Sequence, residues 1–536
     1  MKNSFRQSMA WLHTWVGLVL GWLLFLIFVM GTASYFKSEI SLWMKPEMQF
    51  IAIQPEQSAQ VALSTLERVA PHAQHWYIDL PSAREPLISA YWQDSGANGQ
   101  YHQQQFSPVT GDKVVTRDTL GGDFFYQLHY QLYGLPSTLG SLIIGIAAMF
   151  MLVALVSGVI THRRIFKDFF TFRPYKGQRS WLDFHNLTAV VALPFFLTMT
   201  YTGLAIFFYL YLPWGMMVRY GHDTGKFFDE LQNSAAVVQY KTAPQAAGMR
   251  PFQDVIQQTA MAWQKGSPIG RIEVDQPNTD QAKITFVREP QTQLNLLTGE
   301  SLSYLATTGK RLPDQKNQSV IAQTGGVIYG LHEAHFARWP LRWLLFISGL
   351  LGSAMIATGL ILWTVKRRQQ HSSQSRVPVG HYLVERLNIA AIAGLPMAMA
   401  AFFWANRLLP AQLVTRSDWE VRCFFIVWLL ALIYAGLRPW KKAWVEELIM
   451  VAVLFLGLPL LNMVTNPASS LLHTMVQGQG MLAGFDLTIL GLGLLFACAA
   501  YRLMQPSYSF KHRLRRQSAK VHADVHIQST QEDSHR

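Results

Sequence analysis

Eight apolar runs, near residues 11–36, 139–161, 187–212, 341–365, 387–405, 421–437, 445–464 and 483–504, constrain this chain more than anything else in it. Each reaches roughly the 17 to 25 residues a helix needs to cross the hydrocarbon core of a bilayer. No water lies there, so the backbone of each run must hydrogen-bond within itself, as a helix does. Charged residues make up only 14% of the chain, against about a quarter in a soluble domain. The expected class is a polytopic α-helical membrane protein with about eight transmembrane helices.

The formal net charge of +13 raises nucleic acid as a partner, yet the basic residues lie in the short segments that join or flank the spans. Lys2 and Arg6 precede the first span; Arg163, Arg164, Lys167, Arg173, Lys176 and Arg179 follow the second; Lys366, Arg367 and Arg368 follow the fourth. Arg438, Lys441 and Lys442 follow the sixth, and Lys511, Arg513, Arg515 and Arg516 the eighth. Positive loops stay in the cytoplasm, so this pattern orients the chain in an inner membrane with both termini cytoplasmic and calls for no nucleic acid. The first apolar run exceeds the roughly 7 to 15 residues of a cleavable signal, so it reads as an anchor. Cys423 and Cys498 both fall inside predicted spans, which leaves no disulfide framework, thiolate metal site or covalent haem attachment.

The chain therefore divides into a first span (1–36), a polar segment outside the membrane (37–138), a second span (139–162) and a cytoplasmic loop (163–183). A third span (184–212), a second outward polar segment (213–335), a fourth span (341–366), a bundle of about four helices (383–505) and a polar tail (506–536) complete it. The first polar segment reads as a helix over 57–69 and strands over 75–80, 87–92 and 101–107, closed by the turn Thr110-Gly111-Asp112. The second reads as a helix over 252–263 and strands over 269–274, 282–287 and 293–297, closed by Thr298-Gly299-Glu300.

The recurrence extends into the membrane. His13 stands 18 residues before Gly31, and His185 stands 18 before Gly203. His129 lies 34 residues before Arg163, and His332 lies 34 before Lys366. Both halves begin in the cytoplasm, so the expectation is a parallel duplicated helix-hairpin repeat about an axis along the membrane normal.

A histidine inside a span is costly to bury and is read first as functional. His13, His185 and His162 lie toward the cytoplasm; His129, His332 and His335 lie toward the outside. Axial ligation of b-type haem asks for two neutral imidazoles donated across a bundle. The repeat offers them as pairs, His13 with His185 and His129 with His332, for two haems, with His162 a rival or additional ligand. Gly17, Gly21 and Gly158 are expected to let the macrocycle approach the backbone. Taken singly, His162, His335, His381 and His473 read as interfacial residues, and the recurring four also fit a relic of duplication. Zinc and copper lack their companion carboxylates and thiolates on these helices. Trp11, Trp15, Trp22, Trp214, Trp339 and Trp343 read as interfacial anchors. Glu333 reads equally as a second partner beside His332 or a surface charge. No nucleotide or flavin motif is present.

Trp11-Leu12-His13 followed by Gly31-Thr32, two outward α+β segments ending in Thr-Gly-Asp and Thr-Gly-Glu, and Leu-His ahead of the second and fourth spans together resemble the PepSY-associated transmembrane family. Within it the plan is similar to iron-regulated inner-membrane proteins and ferric-siderophore reductases, over roughly residues 1–370. The resemblance implies two periplasmic PepSY-like domains and a haem-bearing reductase that passes electrons from an unidentified donor to a ferric siderophore or related iron chelate. It carries the ligand roles to His13, His129, His185, His332 and His162; no catalytic residue is assigned. Ferrous iron binds hard oxygen chelators far more weakly than ferric iron, so one electron releases the metal. Two other readings compete: a peptide-binding or protease-regulating membrane protein, and an iron-chelate transporter, which broken helices would favour.

Overall fold

The apolar runs fold as helices in the computed structural model, which describes residues 4–48, 53–94, 100–162, 172–174, 176–221, 223–231, 245–249, 251–263, 268–289, 294–297, 300–313, 319–370 and 378–505. Lys2, Arg163, Arg164, Lys167, the Thr298-Gly299 step and the tail from 506 lie outside the described residues. In chain order the first half holds α1 (Phe5–Val19), α2 (Gly21–Ser34), α3 (Lys37–Met44), α4 (Pro55–Val69), β1 (Ala73–Asp79), β2 (Ile88–Asp94), β3 (Tyr101–Phe106), α5 (Gly122–Tyr130) and α6 (Ser137–Thr161). The next stretch holds α7 (Gln178–Val191), α8 (Leu193–Ile206), the short α9 (Phe208–Tyr211), α10 (Trp214–Tyr220) and α11 (Thr224–Leu231), then α12 (Phe252–Ala262), β4 (Ile269–Asp275), β5 (Lys283–Arg288), β6 (Ser301–Leu305), α13 (Val320–Glu333) and α14 (Trp339–Gln370). The C-terminal bundle holds α15 (Val379–Ile389), a π-helical turn (Ala390–Gly394), α16 (Leu395–Leu408), α17 (Arg416–Leu437), α18 (Trp440–Thr465), α19 (Leu471–Val476) and α20 (Gly480–Met504).

Among the described residues six helices are long and apolar enough to cross a membrane, and two further spans come as bent pairs. α1 and α2 meet at 66°, α7 and α8 at 65°. The runs near 11–36 and 187–212 are thus broken rather than straight. In the second pair Pro194, at the start of α8, has no N–H to continue the ladder. In the first, Gly21 follows the break and lies against Leu360, where an added Cβ would come within 2.6 Å of that side chain. Outward leucines, valines and phenylalanines on α6, α17, α18 and α20, such as Phe150, Leu430, Val453 and Leu495, stay exposed. So much contiguous apolar surface is what a lipid-facing belt requires.

The polar segments build one six-stranded antiparallel sheet, ordered β3-β2-β1-β4-β5-β6. Side chains alternate across a strand, so Trp76, Ile78, Ile88 and Ala90 share a buried face with Ile272, Val274, Ile284 and Phe286, under α4 and α12. The two segments do not stand apart, because β1 pairs with β4 through Ile78↔Ile272 and Tyr77↔Glu273. One expectation fails. Residues 294–297 are not a strand: Leu296 N–H donates to Gly326 O on α13, which holds this stretch against that helix, and the third strand follows at Ser301–Leu305. The counterpart of the Thr110-Gly111 turn is accordingly Thr308-Gly309, where both glycines have positive φ (71° and 69°) and the bridges Phe106↔Lys113 and Tyr304↔Arg311 match.

The C-terminal bundle shares a hydrophobic core with α2, α5 and α14. It is also tied to α3 by polar contacts: Trp43 Nε1 donates to Asp486 Oδ1 at 3.0 Å, and the Arg407 guanidinium stacks 3.7 Å over the Trp43 ring while donating to Trp43 O.

Candidate functional site

α1 delivers His13 and α7 delivers His185, each seven residues before the bend of its pair. The short helices leading into α6 and α14, α5 and α13, deliver His129 and His332. Packing brings these rings together in two couples: His13 and His185 have centroids 6.3 Å apart at 67°, and His129 and His332 are 6.1 Å apart at 25°.

All four rings are seated alike. His13 Nδ1 lies 2.9 Å from Ala154 O, His129 Nδ1 2.8 Å from Ile27 O, and His185 Nδ1 2.8 Å from Met355 O. His332 Nδ1 is 2.9 Å from Thr202 Oγ1, whose own proton goes to Thr198 O, and the Met199 carbonyl also faces it. Four residues beyond each of these carbonyls stands a glycine: Gly158, Gly31, Gly359 and Gly203. An added Cβ there would meet Cε1 of His13, His129, His185 and His332 at 3.2, 2.6, 3.2 and 3.0 Å. One helical turn thus offers a carbonyl to hold the ring and a bare backbone for it to rest on.

The hydrogen bonds fix the chemistry. A carbonyl only accepts, so Nδ1 carries the proton and Nε2 keeps its lone pair. Nε2 of none of the four has a hydrogen-bond partner among the described residues. A metal–imidazole bond is about 2 Å long, and roughly 1.1 Å more separates each nitrogen from its ring centre. Two coaxial imidazoles sharing one metal therefore have centroids about 6 Å apart. Both couples have that spacing, and the donor set suits the bis-imidazole ligation of b-type haem. Among the described residues no three His, Cys, Asp or Glu side chains converge on a metal position.

His162 does not join them. It caps the end of α6, its backbone N–H bonds Gly158 O, and its ring has no partner among the described residues. Of the three glycines expected to border a macrocycle, Gly21 packs on Leu360, Gly158 seats His13, and Gly17 faces open space. Glu333 bonds Tyr126 OH at 3.2 Å and His335 at 2.8 Å rather than His332. Burial pushes its carboxyl up, but His335, Lys37 and Tyr126 together hold it below the ordinary range.

Sequence reasoning used Gly31 and Gly203 only as spacing marks and passed over Gly359. The visible signal was a hydroxyl–glycine step in matching places, Ser157-Gly158, Thr358-Gly359 and Thr202-Gly203; these hydroxyls lie 3.5, 3.4 and 2.9 Å from the Nδ1 atoms of His13, His185 and His332.

The family described as the PepSY-associated TM region matches residues 10–366, a stretch that contains all four paired histidines and the bends of both broken spans. A Pseudomonas aeruginosa protein described as uncharacterized, PA4219, is 24% identical over 400 residues, covering 70% of this chain and 92% of its own length.

Proposed function

The chain belongs to the PepSY-associated TM family, and from that premise we propose that it is a two-haem electron carrier of the bacterial inner membrane that reduces a ferric siderophore or related chelate outside. The carrying observation is the two imidazole couples, at 6.3 and 6.1 Å, with every Nδ1 committed and every Nε2 free. Haem b bound at each couple supplies a one-electron redox centre. His13 and His185 hold the inner position, His129 and His332 the outer. The four carbonyls fix the tautomer and aim of the rings, and the surrounding apolar helices exclude water from both positions.

Matched bends of 66° and 65°, four equivalent seats and a sheet built from two like halves support a duplicated hairpin carrying two PepSY-like domains. The basic segments put both termini in the cytoplasm and the sheet in the periplasm. The outer couple then adjoins the side on which a chelate arrives.

The bent pairs are the observation that favours a transporter. In transporters a broken helix exposes free backbone groups to its cargo. Here Leu20 N–H donates to Val16 O, Leu24 N–H to Leu20 O and Phe196 N–H to Ala192 O, so these backbone groups at the bends are met within the chain.

The test uses purified protein in vesicles with dithionite inside and a ferric hydroxamate plus a ferrous-iron indicator outside. Ferrous iron should appear at a rate at least tenfold above protein-free vesicles and fall to that background in His185→Ala and His332→Ala. A rate indifferent to both substitutions overturns the proposal.

A further inference from the structure

A groove of about 1410 Å³ runs between α2 and α14 on one side and α16, α18 and α20 on the other. Through most of its depth the walls are apolar, with Phe25 and Val29 from α2, Ala357 from α14, and Phe403, Phe455 and Ile489 from the bundle. It lies across α2 from the outer couple, because Phe25, Val29 and Thr32 point into it while Ile27 and Gly31, on the opposite face, hold His129.

At the end nearest the sheet the lining becomes polar, with Glu39, Glu289, Arg84, Arg338 and Arg342, three guanidiniums against two carboxylates, beside Trp339 and Trp343. Glu39 takes bonds from Arg84 Nε and Nη2 at 2.9 and 2.6 Å and from Arg342 Nη1 at 3.1 Å. One carboxylate thus answers two guanidiniums. Arg84 Nη1 and Arg342 Nε make no hydrogen bond among the described residues. Surplus guanidinium donors at the mouth of an apolar slot call for an amphiphile that brings acceptor oxygens and negative charge.

We propose that this groove is a binding site for one acidic phospholipid of the sheet-side leaflet. Its phosphate sits at Arg84 and Arg342, and its acyl chains fill the slot that separates the family region from the C-terminal bundle. Size favours a two-chain lipid, since the volume exceeds the roughly 300–1,000 Å³ of a site for a drug-sized molecule. Charge favours an acidic headgroup, since a zwitterionic one brings a cation toward arginine. The inference is independent of haem binding.

Native mass spectrometry of the full chain, washed in detergent and then offered phosphatidylglycerol or phosphatidylcholine, tests it. The wild type should keep one phosphatidylglycerol under conditions that strip phosphatidylcholine. Occupancy should fall about tenfold in Arg84→Gln/Arg342→Gln, the expected loss for charge-assisted hydrogen bonds. Since those arginines also tie Glu39, a further variant leaves the ion cluster intact: Ala354→Phe narrows the slot and should lower occupancy. Wild-type occupancy in both variants, equal retention of the two lipids, or a quinone in place of phosphatidylglycerol would each overturn the assignment.

Discussion

Each histidine seat rests on one missing methyl group. A Cβ at position 31 would lie 2.6 Å from His129 Cε1, closer than any real contact, so Gly31→Ala must push the ring off its carbonyl while leaving the ligand in the chain. The variant should lose or distort the outer haem signal alone, read as a halved haem content or a shifted spectrum. His162→Ala should leave the spectrum unchanged. The pairing of the four histidines was legible, since buried histidines recurring at fixed spacing from a glycine are rare in sequence. The seats were not, because a glycine four residues beyond a carbonyl gains meaning only when another helix brings a ring to it.

At the scale of elements, the β1–β4 seam decides whether the polar segments are two bodies or one. Ile78 and Ile272 face each other across it, both fully buried, so Ile272→Ala should cost roughly 2–5 kcal/mol of sheet stability, read by thermal unfolding of the full chain. The seam is also sensitive to acid. Burial raises the Asp275 carboxyl, but His75 at 3.0 Å and Lys283 at 3.3 Å hold it below the ordinary value. Its stabilising contribution is present above the unfolded-state pKa and is lost as pH falls through the lowered one. Asp275→Asn should flatten that part of the pH–stability curve. Five of the six strands were readable from alternation. The sixth was misplaced because 293–297 and 301–305 carry similar patterns, and only the packing of the former on α13 separates them. Hydropathy windows also cannot register a bend, so the breaks at Leu20 and Ala192 went unread although Gly21 and Pro194 mark them.

For the whole molecule, the C-terminal bundle is fastened to the family region by buried polar groups. Arg407 donates to Asn462 Oδ1 at 3.0 Å, to Asn406 Oδ1 at 2.6 Å and to Trp43 O. Arg407→Ala strands these acceptors and should cost roughly 1–3 kcal/mol, seen as a lowered unfolding temperature in detergent. The bundle's existence was legible from hydropathy; its attachment was not, because residues 43 and 407 are distant in sequence. The account as a whole turns on haem stoichiometry in the purified chain. Two haems b per wild-type chain are predicted. His13→Ala and His185→Ala should each leave the same one, and His129→Ala and His332→Ala should each leave the other, by pyridine haemochrome content and reduced-minus-oxidised spectra. A chain that purifies without haem, or keeps full content and an unaltered spectrum in all four variants, contradicts it.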